Sequence, residues 1–258
     1  MPAPLLDVTR EGELAIVTLN KPPVNALDIG YCDALADCFD ELGETQGVKA
    51  VVLTGGAGTT FCAGLDLKQV PTYTPAQQDQ LITALNRMFL AIYACPLPVV
   101  VAINGHCIAG GLVLALCGDY RIAVTGSARL GLTEVKVGVP YPVGAMEVCR
   151  AEMRPEVARQ VILFAELIDV PKALAWGVVD EQVAPTLLAL RAREMAARLG
   201  ALPGSAFSRV KRQLRALALE RMEAVLEQDN DPLRGSWLSD ETAGAATGVL
   251  RTKPKTHA

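Results

Sequence analysis

The sequence predicts an α/β fold whose sheet is covered on both faces, and three observations carry that prediction. Short apolar, β-branched runs alternate with longer segments of helical period as far as about Val183. Runs such as VVVAIN (99–104) lack the polar alternation of a half-exposed strand, so helices must cover both of their faces. Beyond Val183 the strand signals stop, and the chain reads as helix down to a polar tail ending in TKPKTHA.

Taken in order, ELAIVTL (13–19) is the first strand. Asp28 can cap a helix that places Leu35, Cys38, Phe39 and Leu42 on one face. VKAVVLT (48–54) is the next strand; Thr74 with Pro75 then opens a helix aligning Leu81, Leu85, Met88 and Ile92, which Cys95-Pro96 stops. PVVVAIN (98–104) leads through a glycine pair into a short helix at 112–117, and YRIAVT (120–125) and ARLGL (128–132) follow as strands. Helices at 186–199 and 205–227 close the chain; Leu214, Leu217, Ala218, Met222 and Val225 form a stripe on the second, expected to face the core, with a subunit contact as the alternative. The βα units recur too loosely to count as a tandem period.

Composition narrows the function classes. With 258 residues, 51% of them hydrophobic, the chain can bury a large core as one domain or one domain plus an appendage. A net charge of -4, with one modest basic cluster at 209–215, argues against a nucleic-acid partner. The seven cysteines include no CxxC pair, which disfavours a disulfide framework and a zinc site and points to buried thiols in a reducing compartment. Acids occupy the N-terminal stretch where a signal peptide needs apolar residues. The uncharged run from Met88 to Gly118 is broken by Pro96, Pro98, Asn104 and His106. The expected location is cytoplasmic, with no membrane contact.

Gly110 and Gly111 stand at the mouth of a helix, where each glycine costs about 1 kcal/mol relative to alanine. Two readings fit. Their N–H groups lack intrahelical partners and can hold a developing oxyanion, or the missing side chains permit close packing of helix on strand. A second glycine-bearing turn, GGAGTTFCAGLDLKQV (55–70), supplies the other place from which a donor for an oxyanion hole can come. It is neither a phosphate loop nor a dinucleotide fingerprint.

Five segments in chain order, LNKPPVNALD (19–28), FCAGLDLKQV (61–70), NGHCIAGGLVLALCGDYRIA (104–123), GLTEVKVGVPYP (131–142) and ALAWGVVDEQV (173–183), resemble the crotonase, or enoyl-CoA hydratase/isomerase, superfamily. The resemblance implies a crotonase-like spiral of ββα units over residues 1–195 and a helical region at 196–258 that assembles trimers or hexamers. It implies an acyl-CoA thioester as substrate, with no separate cofactor and no metal, coenzyme A being part of that substrate. The thioester oxygen would be held by the N–H groups of Leu65 and Gly110. The coenzyme A cradle maps onto Ala63, Gly64, Leu65, Asp66, Leu67 and Lys68, with Val24, Asn25 and Ala26 nearby. Lys68 reads either as a contact to the nucleotide end or as a solvated lysine, and Asp66 as a turn-fixing side chain.

Carboxylates separate the reactions. Hydratases of the superfamily place one acid on the helix after the glycine pair and another in the following strand-loop segment; these positions are Val113 and Glu134 here. One acid is therefore absent. A single glutamate suits a shift of the double bond of a 3-enoyl thioester, the enoyl-CoA isomerase reaction of fatty-acid or related acyl catabolism. The apolar flanks of Glu134 would desolvate it; without the resemblance, an exposed Glu134 paired with Lys136 or Arg129 fits as well. The alternatives are a hydratase working through Glu134 alone and a non-catalytic acyl-CoA binder. Tyr141 and Met146 are expected to shape the acyl pocket, and Glu147 to face solvent as a reserve acid. Arg251, Lys253 and Lys255 are candidates for the phosphates. His106 is expected to bond a backbone carbonyl and His257 lies in the tail, so no Ser-His-Asp set competes.

Overall fold

The computed structural model describes residues 4–235 and Trp237. Strands β1 (Leu6–Glu11) and β2 (Leu14–Leu19) form a hairpin turning at Gly12, which has φ of +62°. Then come α1 (Ile29–Glu44), β3 (Ala50–Gly55), β4 (Thr60–Cys62), α2 (Pro75–Ala94), β5 (Val99–Ile103), β6 (His106–Ile108) and α3 (Gly110–Leu116). The chain continues through β7 (Tyr120–Val124), β8 (Arg129–Gly131), α4 (Val143–Glu152), α5 (Pro155–Ala158), β9 (Ile168–Asp169), α6 (Val170–Ala175) and β10 (Glu181–Val183). Helices α7 (Leu188–Gly200) and α8 (Gly204–Gln228) follow.

Every strand expected from apolar runs is present. Asp28 caps α1 through the Tyr31 N–H, and Thr74 with Gln77 makes a reciprocal capping box on α2. The strands that periodicity does not reveal are short or exposed. β4, β6, β9 and β10 have three residues or fewer, and β1 is an exposed polar edge held by its antiparallel partner.

Two sheets share these strands. One has the order β1-β2-β3-β5-β7-β10 and is parallel beyond its first hairpin; the other has the order β4-β6-β8-β9. The pairs β3/β4, β5/β6 and β7/β8 each place their first strand in the larger sheet and their second in the smaller, and a helix follows each pair. That repeat is a ββα spiral, and it brings the loops after β4, β6 and β8 to one side. β5 is buried along its whole length, as a strand covered on both faces must be. All seven cysteines are free, and all but Cys38 are fully buried.

The last two helices depart from expectation. α7 packs on β3, β5 and β7, so the expected boundary at 195/196 falls inside one continuous helix. On α8 the inward face carries Lys211, Arg215, Ala218, Leu219 and Met222, while Leu214 and Leu217 are 85% and 80% exposed. The apolar stripe is therefore split: Ala218 and Met222 face the core as expected, whereas Leu214 and Leu217 turn outward. The reason is electrostatic: Arg215 donates to the carbonyls of Tyr93, Cys117 and Gly118 at the ends of α2 and α3, and stacks 3.9 Å from the Tyr93 ring. Those helix-end carbonyls have no intrahelical donors and attract a cation. Lys211 reaches Asp119 at 2.7 Å and the Leu97 carbonyl at 3.1 Å. The basic cluster at 209–215 thus holds a helix to the body of the protein.

Candidate active site

The site is built from main chain first. Asn25, at φ of +51°, is buried, and its side chain joins the Lys21 N–H to the Phe61 carbonyl. This fixes the loop after β2 against the turn after β4. Ala63 N donates to Val24 O at 3.1 Å, Leu27 N to Gly64 O at 2.7 Å, and Asp66 N to Leu27 O at 2.8 Å. Leu27 and Leu65 thus form a parallel bridge in which the Gly64 carbonyl and the Asp66 amide face Leu27, so the Leu65 N–H points away from this seam. Among the described residues it has no acceptor, and neither does the Gly110 N–H.

The glycines decide how closely the two turns meet. Gly64 has φ of +79°, and a Cβ there would lie 2.7 Å from Ala109 Cβ and 3.1 Å from Gly110 N. A Cβ on Gly111 would stand 2.2 Å from the Cys62 carbonyl oxygen, whereas one on Gly110 would meet a Leu27 methyl at 3.1 Å. The pair therefore divides: Gly111 serves close packing, and Gly110 keeps its amide beside the second turn. Gly111→Ala is expected to cost about 1–3 kcal/mol in urea unfolding, as overpacked cores do, and Gly110→Ala less; equal losses would contradict this division. Ala109, just before the pair, sits at φ +53° and ψ -133° with its own N–H on Gly131 O at 2.7 Å.

These turns form one wall of a cavity of about 490 Å³. Lys21 to Val24, Ala26, Ala63 and Leu65 to Lys68 line one part; Ile108, Ala109, Thr133, Glu134, Lys136, Val137, Val139 and Leu167 line the other. Of the residues expected from the sequence, Ala26, Ala63, Leu65, Asp66, Leu67, Lys68 and Glu134 are on the cavity. Asn25, Gly64 and Gly110 stand within the wall that shapes it. Asp66 accepts from the Lys68 and Gln69 amides at 3.0 and 3.3 Å, which fixes its turn. Lys68 is exposed at the rim. Arg251, Lys253, Lys255 and His257 lie outside the described residues.

Glu134 begins a short 3-10 helix, Glu134–Val137, and is only 7% exposed. It pairs with neither Lys136 nor Arg129; its Oε2 accepts from the Tyr141 hydroxyl at 2.6 Å. Burial pushes its carboxyl up from 4.5 to about 7, against the pull of the Tyr141 hydroxyl and its own amide. Val113 is fully buried. Glu147 corrects the sequence reading, because it is buried and bonded to Arg150 at 2.8 Å and Arg221 at 3.1 Å. Its partner on α8 lies 74 residues away, beyond the reach of local patterning. His106 also differs: its Nδ1 accepts from the Arg129 N–H at 3.2 Å rather than donating to a carbonyl. Met146 packs on the core and not on the cavity. Lys21 and Lys136 were missed as lining residues, since nothing local separates a rim lysine from any other.

Two unengaged amides on the adjacent turns that wall a cavity, together with a desolvated carboxyl lining the same cavity, suit proton transfer at a carbon next to a carbonyl. A ββα spiral carrying such a cavity defines an enzyme of the crotonase class. The chain belongs to the enoyl-CoA hydratase/isomerase family, whose profile matches residues 9–247. It is 32% identical over 180 residues to a probable enoyl-CoA hydratase, EchA17, of Mycobacterium tuberculosis, covering 69% of this chain and 68% of that one. It is 28% identical over 225 residues to the mitochondrial enoyl-CoA delta isomerase 1 of Rattus norvegicus, covering 86% and 78%. The crystal structure of the human mitochondrial delta3-delta2-enoyl-CoA isomerase superposes with a TM-score of 0.89 at 25% identity over 96% of this chain and 97% of that one.

Proposed function

We propose that this protein is an enoyl-CoA isomerase that converts a 3-enoyl thioester into the 2-enoyl thioester. The observation that carries the reading is the count of carboxylates. The cavity offers Glu134 and Asp66, and Asp66 is taken up by the amides of its own turn. The position to which the family resemblance assigns a second acid is the buried Val113, and Glu147 is held by arginines.

With the thioester oxygen on the Leu65 and Gly110 amides, Glu134 removes a proton from C2. The electron pair of the broken C–H bond delocalises onto the thioester oxygen and over C2 to C4. The same carboxyl then delivers the proton to C4, leaving the double bond between C2 and C3. Nothing is oxidised or reduced. Amide donors of this type each lower such a barrier by about 2.7–4 kcal/mol. The pantetheine arm would run along Lys21 to Ala26 and Ala63 to Lys68, with Lys68 toward the phosphates.

The test is a side-by-side assay of 3-enoyl and 2-enoyl thioesters of several chain lengths. Isomerisation that outpaces hydration supports the reading. Hydration of crotonyl-CoA at a comparable rate supports the hydratase that several relatives are named for, and binding without turnover supports a non-catalytic acyl-CoA carrier.

Assembly into trimers or pairs of trimers belongs to the same proposal. Val210, Leu214 and Leu217 form an exposed apolar row on α8, 60%, 85% and 80% accessible in the single chain, a pattern that marks a contact surface. Light scattering should give a multiple of three chains, and Leu214→Glu with Leu217→Glu should release smaller species. A monomeric wild type would overturn this part.

A further inference from the structure

The inference concerns how the base is held, and it rests on the isomerase reading of the same cavity. The segment from Gly138 to Val143 is fastened at several points. Gly138, at φ +65°, closes the 3-10 helix, and Val139 N returns to Glu134 O at 3.0 Å. Trp237 Nε1 donates to Pro140 O at 2.9 Å, and Val143 N to Asp231 Oδ2 at 2.9 Å. A side chain carried by such a segment has little freedom. Tyr141 is that side chain, and its hydroxyl meets Glu134 Oε2 at 2.6 Å, the length of a strong charge-assisted bond.

We infer that Tyr141 is a positioning residue for the base: its hydroxyl pins one oxygen of Glu134 and favours the ionised carboxylate, so that the substrate proton is carried on the other oxygen. Burial and the adjacent carboxylate hold the Tyr141 phenol well above its ordinary range, so it stays a donor at every working pH. Other ionisable groups near Glu134 do not take this place. Lys136 on its own helix is exposed at the cavity rim and makes no ion pair with the carboxylate, Cys149 on α4 is a buried neutral thiol, and Arg159 begins the neighbouring short helix at 159–163. Lys21, Asp66 and Lys68 line the cavity elsewhere, and the first two have other partners. The phenol is the side chain that opposes the desolvation of the carboxylate, ahead of the glutamate's own amide.

The test reads Glu134 itself before it reads turnover. The protonated-carboxyl infrared band that disappears in Glu134→Gln is titrated in wild type and in Tyr141→Phe. The midpoint should rise by about one pH unit in Tyr141→Phe, as loss of a bond to a charged group implies. The acid limb of kcat/KM should move with it, with KM little changed. Replacement of tyrosine by 3-fluorotyrosine, a more acidic donor, should move the midpoint the other way and keeps the test open if Tyr141→Phe folds poorly. A midpoint unmoved by either change, or a loss of rate equal at every pH, overturns the inference. A shifted midpoint in a protein that isomerises no 3-enoyl thioester upholds the role of Tyr141 and overturns the isomerase reading alone.

Discussion

Glu134→Gln is expected to lower kcat for double-bond migration by about 10²–10⁴-fold, the usual worth of a positioned proton-transfer group, while acyl-CoA binding stays within a few-fold. Glutamine keeps the volume and can still accept from the Tyr141 hydroxyl, but it cannot take up a proton. In the wild type, kcat/KM should climb with pH through about 7 and then level, because only the ionised carboxylate is a base. Stability should show the opposite trend. The folded carboxyl titrates near 7 against an ordinary 4.5, so between those values the native state binds more protons and stability falls as pH rises. The gap is worth about 3 kcal/mol. Glu134→Gln removes that cost, so above pH 7 it should unfold later than wild type by up to this amount, and the advantage should vanish as pH approaches 4.5. A variant that is inactive and also less stable at alkaline pH would show that Glu134 is structural.

Asp119→Ala carries the second large effect, of about 3–5 kcal/mol in stability, the loss typical when one partner of a buried ion pair is removed. Asp119 accepts from the Val99 N–H at 2.8 Å and Lys211 at 2.7 Å, and faces Arg215 at 3.2 Å. Both cations are nearly inaccessible. Burial drives the Lys211 ammonium down, and the charge of Asp119 pulls it back up. Without the carboxylate, Lys211 and Arg215 keep only carbonyl acceptors and, for Arg215, Glu152 at 3.5 Å, while the Val99 amide loses its acceptor, so two buried cations lose a neutralising charge between α8 and the start of β5. Urea unfolding measures the loss, and hydrogen exchange should show the amides of α8 opening ahead of those of β5. A change below about 1 kcal/mol would mean that water reaches the cluster and screens it.

Much of this protein is legible along the chain. The apolar runs reveal β2, β3, β5, β7 and β8, and Asp28, Thr74 and Pro75 mark where α1 and α2 begin. The motif around Cys62 to Lys68 and the glycine pair point to one site, and the structure sets those turns against each other beside Glu134. The short strands β4, β6, β9 and β10 escape because so short a run completes no period. The orientation of α8 escapes for another reason: hydrophobic patterning scores Leu214 and Leu217 as core and cannot register that Lys211 and Arg215 have buried partners.

By itself, then, the sequence determined the α/β class, the family, the two glycine turns and Glu134 as the candidate for proton transfer, since each is written in contiguous residues. Tertiary structure alone decided that Glu134 is desolvated and held by Tyr141, that Glu147 is occupied by Arg221, and that Gly111 rather than Gly110 is the packing glycine. A carboxyl group's state depends on which charges and dipoles surround it, and segments far apart in the chain supply those surroundings only after folding.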